Sequence, residues 1–218
     1  MTGQAPKGPA PRASDTAYQA VLDRILDLRL PPGAVVHEQA VAAELGLGRM
    51  PVREALARLA LDRFVTVQPR RGTIVTAPSF EDVADMFDAR EAIECGVAHI
   101  AARRATAEDL ATLRTLVAEA DRAREGSDHE GFLRGDHAVH AFLAHLLRNR
   151  LLQDAADRLL LHNLRFWRSY WSARPARLAS MMSHDDLLAA LEAGDPDAAE
   201  AAMREHLGAS RQLLHARF

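Results

Sequence analysis

Four polar residues stand where the helical rhythm of the chain calls for apolar ones. Between Asp128 and Arg148 the inward stripe is Phe132, Leu133, Val139, Phe142, Leu143, Leu146 and Leu147, and Asp136 and His140 fall in its phase, one turn apart. Farther on, His184 continues the line of Met181, Leu187, Leu188 and Leu191, and His206 sits among Ala199, Met203, Leu213 and Leu214. A single histidine on such a stripe is ordinarily a hydrogen-bonded core residue. A carboxylate with three imidazoles is a different case, because burying a carboxylate is costly unless it is paired or bound to metal. One Asp and three His suit a divalent transition metal, with Zn foremost and Ni or Mn also compatible. Four protein ligands leave an octahedral ion two positions, which a carboxylate or hydroxy-carboxylate could fill. The same positions could activate water, so a metal-dependent enzyme and a purely structural metal remain alternatives. His99, His129, His137, His145 and His215 lie off the stripes or near ends and are expected to be exposed; His162 is borderline, its neighbour Asn163 having the better phase.

A second set of residues is suited to DNA. Arg49 and Arg53 stand four apart at the start of a segment whose apolar residues Val52, Leu56, Leu59 and Ala60 repeat at helical spacing, so both guanidinium groups share one side. Pro51 suits the first turn, where a missing N–H costs nothing. The N-terminal end of a recognition helix enters the major groove, and arginine to guanine O6 and N7 is the commonest specific contact. Met50 lies beside them. Arg70, Arg71 and Gly72 form the tip between two β-rich runs and would follow the backbone or enter the minor groove. Arg58 and Arg63 are expected as surface charges or phosphate contacts.

These residues need elements to hold them. A helix is expected from Thr16 to Leu30, stopped by Pro31-Pro32-Gly33, then a short one from Glu38 to Leu45 with Ala40, Val41 and Leu45 inward, a turn at Gly46, and the recognition helix from about Met50 to Asp62. FVTVQ and TIVTA read as two strands. Three helices and a β-ribbon make a winged helix-turn-helix. Beyond it every segment is helical: Phe80 to about Arg104 after a capping Ser79, a capping box at Thr106 and Asp109 opening a helix to about Glu125, then Asp128 to Arg148, Arg150 to Ser172, about Ala176 to Ala193, and a last helix from Asp195-Pro196 to the end. The fold class is mainly α, a winged helix-turn-helix followed by an antiparallel six-helix bundle.

The 218 residues suffice for two units, and the charge divides between them. Residues 1–78 hold ten Lys or Arg against seven Asp or Glu, residues 79–218 seventeen against twenty-three, which together make the net −3. The expected division is a disordered arm over 1–14, a DNA-binding unit over 15–77, a linker at 78–79 and a helical unit over 80–218. Cys95 alone excludes an intrachain disulfide and agrees with a reducing cytoplasm. No run reaches the ~18 apolar residues of a membrane span, and the first fourteen residues lack the apolar core of a signal peptide, so a soluble cytoplasmic protein with no membrane partner is expected.

The stretch PPGAVVHEQAVAAELGLGRMPVREALARLALDRFVTVQPRRGTIV resembles the N-terminal domain of the GntR family of bacterial transcription regulators, whose pattern it follows over roughly residues 16 to 77. It departs at Gly48, where a capping Ser or Thr is usual, at Met50, which replaces a small Thr, and at Gln39, an Arg in some relatives. The later DHAVH, SHDDLLAALEAGD and MREHL resemble the effector domain called FCD in the FadR branch, which carries a D-x3-H pair and two later histidines. Six helices suggest its shorter, VanR-like subgroup. The resemblance implies a homodimer that binds operator DNA, with no enzymatic turnover, and a repressor released by a small organic acid held near the metal at Asp136, His140, His184 and His206. Arg90 is a candidate to fork onto the acid's carboxylate, an ion pair with Glu94 being the equal alternative. Arg165 is a further effector candidate, with the surface as its expected place.

Overall fold

Helical spacing of apolar side chains brings α1 (Ala13–Leu26) onto α3 (Arg49–Leu61), with Ala17, Val21, Leu22 and Ile25 meeting Val52, Ala55, Leu56 and Leu59 in a buried seam. The computed structural model describes residues 12–173 and 183–215. They divide into two units, Met1–Ala77 and Pro78–Phe218. In the first, α2 (Glu38–Leu45) ends at Gly46, whose φ of 64° is open to glycine, and the Leu47 N–H returns to Ala42 O at 2.9 Å. Strands β2 (Val65–Gln68) and β3 (Gly72–Val75) form the wing, pairing antiparallel from Val65↔Val75 to Gln68↔Gly72.

Several expectations for this unit are corrected. α1 begins at Ala13, so Ala13 and Ser14 are helical rather than part of a disordered arm; residues 1–11 lie outside the described ones. Asp15 in its first turn favours the start, complementing the helix dipole and pairing with Arg58 at 2.5 Å. The same helix ends at Leu26 and not Leu30, because Leu28 turns to φ 58° ahead of the proline pair, which disfavours helix at its predecessor. Ala42 rather than Ala40 is buried on α2. A further strand, β1 (Val35–Val36), pairs with β3 to give the order β1-β3-β2; two residues are too few for alternation to reveal, and the open edge of β3 decides it.

In the second unit six helices follow among the described residues: α4 (Phe80–Arg104), α5 (Ala107–Glu125), α6 (His129–Leu146), α7 (Arg150–Ala173), α8 (Asp185–Ala193) and α9 (Pro196–His215). Polar residues start them as the sequence implies. Ser79 with Asp82 and Thr106 with Asp109 form capping boxes, Asp128 accepts from Gly131 N–H at 2.9 Å, and Asp195 accepts from the N–H groups of Asp197 and Ala198. Two boundaries are corrected. α6 ends at Leu146 and not at Arg148, which turns to φ 53°. Ser183 and His184 are not helical; α8 starts at Asp185 with His184 at its N-cap, where Asp185 and Asp186 favour the dipole. The rest of the expected fifth helix, Ala176 to Met182, lies outside the described residues, as do 216–218. No described helix is long and apolar enough to cross a membrane.

Two apolar clusters fill this unit. Val83, Met86 and Phe87 of α4 pack with Phe132 and Leu133 of α6 and Leu164, Trp167 and Trp171 of α7. Val97, Ala98 and Ala101 pack with Val139, Leu143, Leu187, Leu191, Met203 and Leu207. Along α4 and α6, the residues between the clusters are the buried polar ones, Arg90, Glu94 and Asp136, with His140 one turn on. Gly135, beside Asp136, lets α5 come close: a Cβ there would lie 2.8 Å from Cα and Cβ of Ala120. Gly135→Val should therefore overpack the α5–α6 contact and cost about 2–3 kcal/mol, seen as a lowered urea midpoint; an unchanged midpoint would refute the close approach.

Candidate metal centre and nucleic-acid interface

Asp136 and His140 share a face of α6 by their four-residue spacing, His184 enters from the start of α8, and His206 from α9. All four are at most 6 % exposed. The three imidazoles converge through Nε2: His140 to His206 is 3.3 Å and His140 to His184 is 3.3 Å. Asp136 Oδ1 lies 3.6, 3.5 and 3.6 Å from Nε2 of His140, His184 and His206. The four donor atoms all fall within 4.8 Å of one another.

This donor set fits a divalent transition metal. Four corners spaced mostly 3.3–3.6 Å apart surround a point roughly 2 Å from each, the length of a metal–nitrogen or metal–oxygen bond. Without a metal the same contacts need a proton on His140 Nε2, shared among the facing nitrogens and Asp136 Oδ1; a metal ion would take that proton's place. Asp136 is held well below the ordinary carboxylate range, burial being outweighed by His140 and by hydrogen bonds from the imidazoles. Burial and the neighbouring His184 push His206 down to about 4, which keeps the imidazole neutral at neutral pH.

Glu94 joins the centre from behind. Its Oε2 lies 2.5 Å from His140 Nδ1, an ionic contact. Its other partner is Arg90, whose Nε donates to Oε1 at 2.6 Å and Nη2 to Oε2 at 3.3 Å. Burial would raise the Glu94 carboxyl, but Arg90 and His140 bring it down to about 2. Burial opposes a charge on His140 too, yet Glu94 and Asp136 lift it to about 9. The ion pair with Glu94 is thus the alternative that Arg90 adopts, and the fork uses two of its five N–H donors. Sequence reasoning named Glu94 only as that partner and missed its contact with His140. The signal was present: Arg90, Glu94, Val97 and Ala101 continue one buried stripe of α4.

Other expectations are corrected by burial. Arg165 is 3 % exposed and not on the surface; burial lowers it to about 10 against the attraction of Asp82. Asp82 precedes Arg90 by two turns of α4, roughly 12 Å. Among the histidines expected outside, His145 is exposed and paired with Asp157, whereas His99, His129 and His137 are half-buried, because the adjoining helices cover them; the His215 side chain lies outside the described residues. Asn163, and not His162, is buried.

In the first unit Arg49, Met50, Arg53, Arg70, Arg71 and Gly72 are all exposed. Gly48 is the N-cap of α3 and provides no side-chain cap, so the first-turn N–H groups stay open. Arg53 pairs with Glu38 at 3.2 Å, and Arg58 lies over the Tyr18 ring at 4.5 Å as well as against Asp15. At the wing tip Arg70 and Gly72 both have positive φ, 64° and 86°. Exposed cations are thus grouped at the start of α3 and at the wing tip, the candidate interface.

Residues 13–75 match the family model for bacterial regulatory proteins of the gntR family, and residues 85–209 match the FCD domain. The chain is 28% identical over 209 residues to the HTH-type transcriptional repressor RspR of Escherichia coli (strain K12), covering 95% of this chain and 91% of that one. It is 30% identical over 181 residues to a probable D-xylose utilization operon transcriptional repressor of Paenarthrobacter nicotinovorans, covering 83% and 79%. The solved structure of E. coli McbR/YncC superposes with a TM-score of 0.81 at 20% identity over 95% of this chain and 99% of that one, a likeness of fold. The chain belongs to the GntR family of bacterial regulatory proteins, as a DNA-binding transcriptional regulator whose second unit is an FCD domain.

Proposed function

We propose that this regulator is a homodimeric repressor released from its operator when a small organic acid binds beside a divalent metal held by Asp136, His140, His184 and His206. The observation that carries the reading is the convergence of those four buried ligands in a chain whose other unit is a GntR winged helix-turn-helix. That relatives such as RspR are named as repressors supports the direction of control. Zn is the first choice of metal and Ni or Mn the next, an imidazole-rich set accommodating each. Six described helices in the FCD unit support the shorter, VanR-like subgroup.

When bound, the metal supplies a Lewis-acid contact for an oxyanion. The protein does the rest. Glu94, held ionised by Arg90, favours a proton on Nδ1 of His140 and so leaves Nε2 as the ligand atom. Arg90 also offers the donors not used on Glu94 to the acid's carboxylate. Arg165, buried and within the attraction of Asp82, is the second cation we assign to the effector. Arg49, Met50 and Arg53 meet base edges in the major groove, with Arg70, Arg71 and Gly72 against the backbone or minor groove. Control by the acid requires that it prefer one arrangement of the paired DNA heads over the other, transmitted through the segment 77–79.

The purified protein should contain about one divalent metal per chain, lost in Asp136→Ala and His184→Ala, and Glu94→Gln should weaken metal affinity roughly 10–100-fold without loss of helix content. Because His140 sits at about 9 without metal, binding at pH 7 should release about one proton, readable by calorimetry in buffers of different ionisation enthalpy. Absence of metal binding by the intact chain sinks the assignment. A panel of organic acids should raise Tm only in the metal-loaded protein and weaken DNA binding; equal shifts after chelation would leave the metal purely structural. On the DNA side, Arg53→Ala should cost about 1–3 kcal/mol on the preferred sequence and relax specificity. Arg71→Ala should weaken all sequences alike and reduce the slope of log affinity against log salt by about one.

A further inference from the structure

The first turn of α2 holds both arginines of the reading end of α3. Glu38 pairs with Arg53, and the residue after it, Gln39, reaches Arg49: with its amide turned so that Oε1 faces the guanidinium, it accepts from Nη2 at 2.5 Å and from Nη1 at 3.3 Å. Gln39 and Arg49 are both exposed.

We infer that Gln39 is a specificity-determining residue that positions Arg49 for one edge of a guanine. A guanidinium can fork onto a base either end-on, through its two Nη groups, or side-on, through Nε and Nη2. Gln39 takes one N–H from each Nη and so occupies the end-on edge. Nε–H and the second hydrogen of Nη2 remain, parallel and pointed away from α2, in the spacing that O6 and N7 of guanine accept. Held in this way, Arg49 loses less side-chain freedom on reaching the base, and it arrives in one of its two possible poses. The amide also withdraws its own acceptor from the DNA, so that the pair presents only donors. This inference rests on the reading of Arg49 as a base contact.

The test uses the full chain, a pool of duplex DNA with a randomised central segment, and sequencing of the retained fraction. Arg49→Ala locates the base pair in each half-site at which preference is lost. Gln39→Met, which keeps length and removes the acceptor, should lose roughly tenfold of the preference at that same base pair, with unchanged affinity for non-specific DNA. Gln39→Glu, whose carboxylate accepts from the same two N–H groups, should keep that preference while binding all sequences more weakly. Unaltered preference in Gln39→Met, where Arg49→Ala loses it, overturns the positioning role and leaves Arg49 as a reader. Loss in both Gln39 variants also overturns it, since the amide itself would then be reading the base. Preference retained in Arg49→Ala overturns the inference together with the base-contact reading beneath it.

Discussion

Asp136 is a carboxylate at the centre of an apolar bundle, and the second unit is arranged around the cost of that charge. Its oxygen is surrounded by three imidazoles; behind one of them stands Glu94, and behind Glu94 stands Arg90. The signs alternate along the row, so each buried group has an opposite charge beside it. Apolar clusters close both sides of the row, one built on Phe87, Phe132 and Trp167 and the other on Val97, Leu143 and Met203. In such surroundings removing one member strands its neighbour, which is why a buried ionic group is far more damaging to break than it is stabilising to make. A divalent cation at the meeting point of Asp136 and the three histidines would place one positive charge beside all four of them.

The ionic contacts of the DNA-binding unit follow a different rule. Arg53 with Glu38 and Arg58 with Asp15 are solvent-exposed pairs, each worth no more than about 1 kcal/mol. Such pairs hold a cation in place but can be exchanged for another anion at little cost. The buried row has no such exchange available to Arg90 short of an anion entering the bundle. Ion pairs of like chemistry thus serve as a replaceable guide in one unit and as a fixed part of the framework in the other, and burial alone makes the distinction.

Much of this is legible in the amino-acid sequence. Ser79 and Thr106 start helices because local side-chain oxygens meet orphan N–H groups, and a local interaction is written in adjacent residues. Asp136 and His140 were legible because four-residue spacing fixes a shared helix face whatever the helix packs against. The errors lie where the deciding partner is distant in sequence. β1 exists because β3 has an open edge. Arg165 is inside because neighbouring helices cover it. α1 begins early with Asp15 facing Arg58, forty-three residues away. His184 ends up at a helix N-cap rather than within a helix, yet it still reaches the other ligands.

The amino-acid sequence by itself determined the winged helix-turn-helix and the helical bundle, the exposure of Arg49 and Arg53, and the burial of one aspartate and three histidines, since all of these follow from periodicity, caps and local backbone preference. Tertiary structure alone decided that those four side chains face one another through Oδ1 and Nε2, that Glu94 turns to His140 as well as to Arg90, and that Gln39 grips Arg49. These are contacts between helices, and helical phase tells which face a residue is on without telling which residue of another helix stands opposite. That choice is made by the packing of the whole unit, where filling space and neutralising buried charge are settled together.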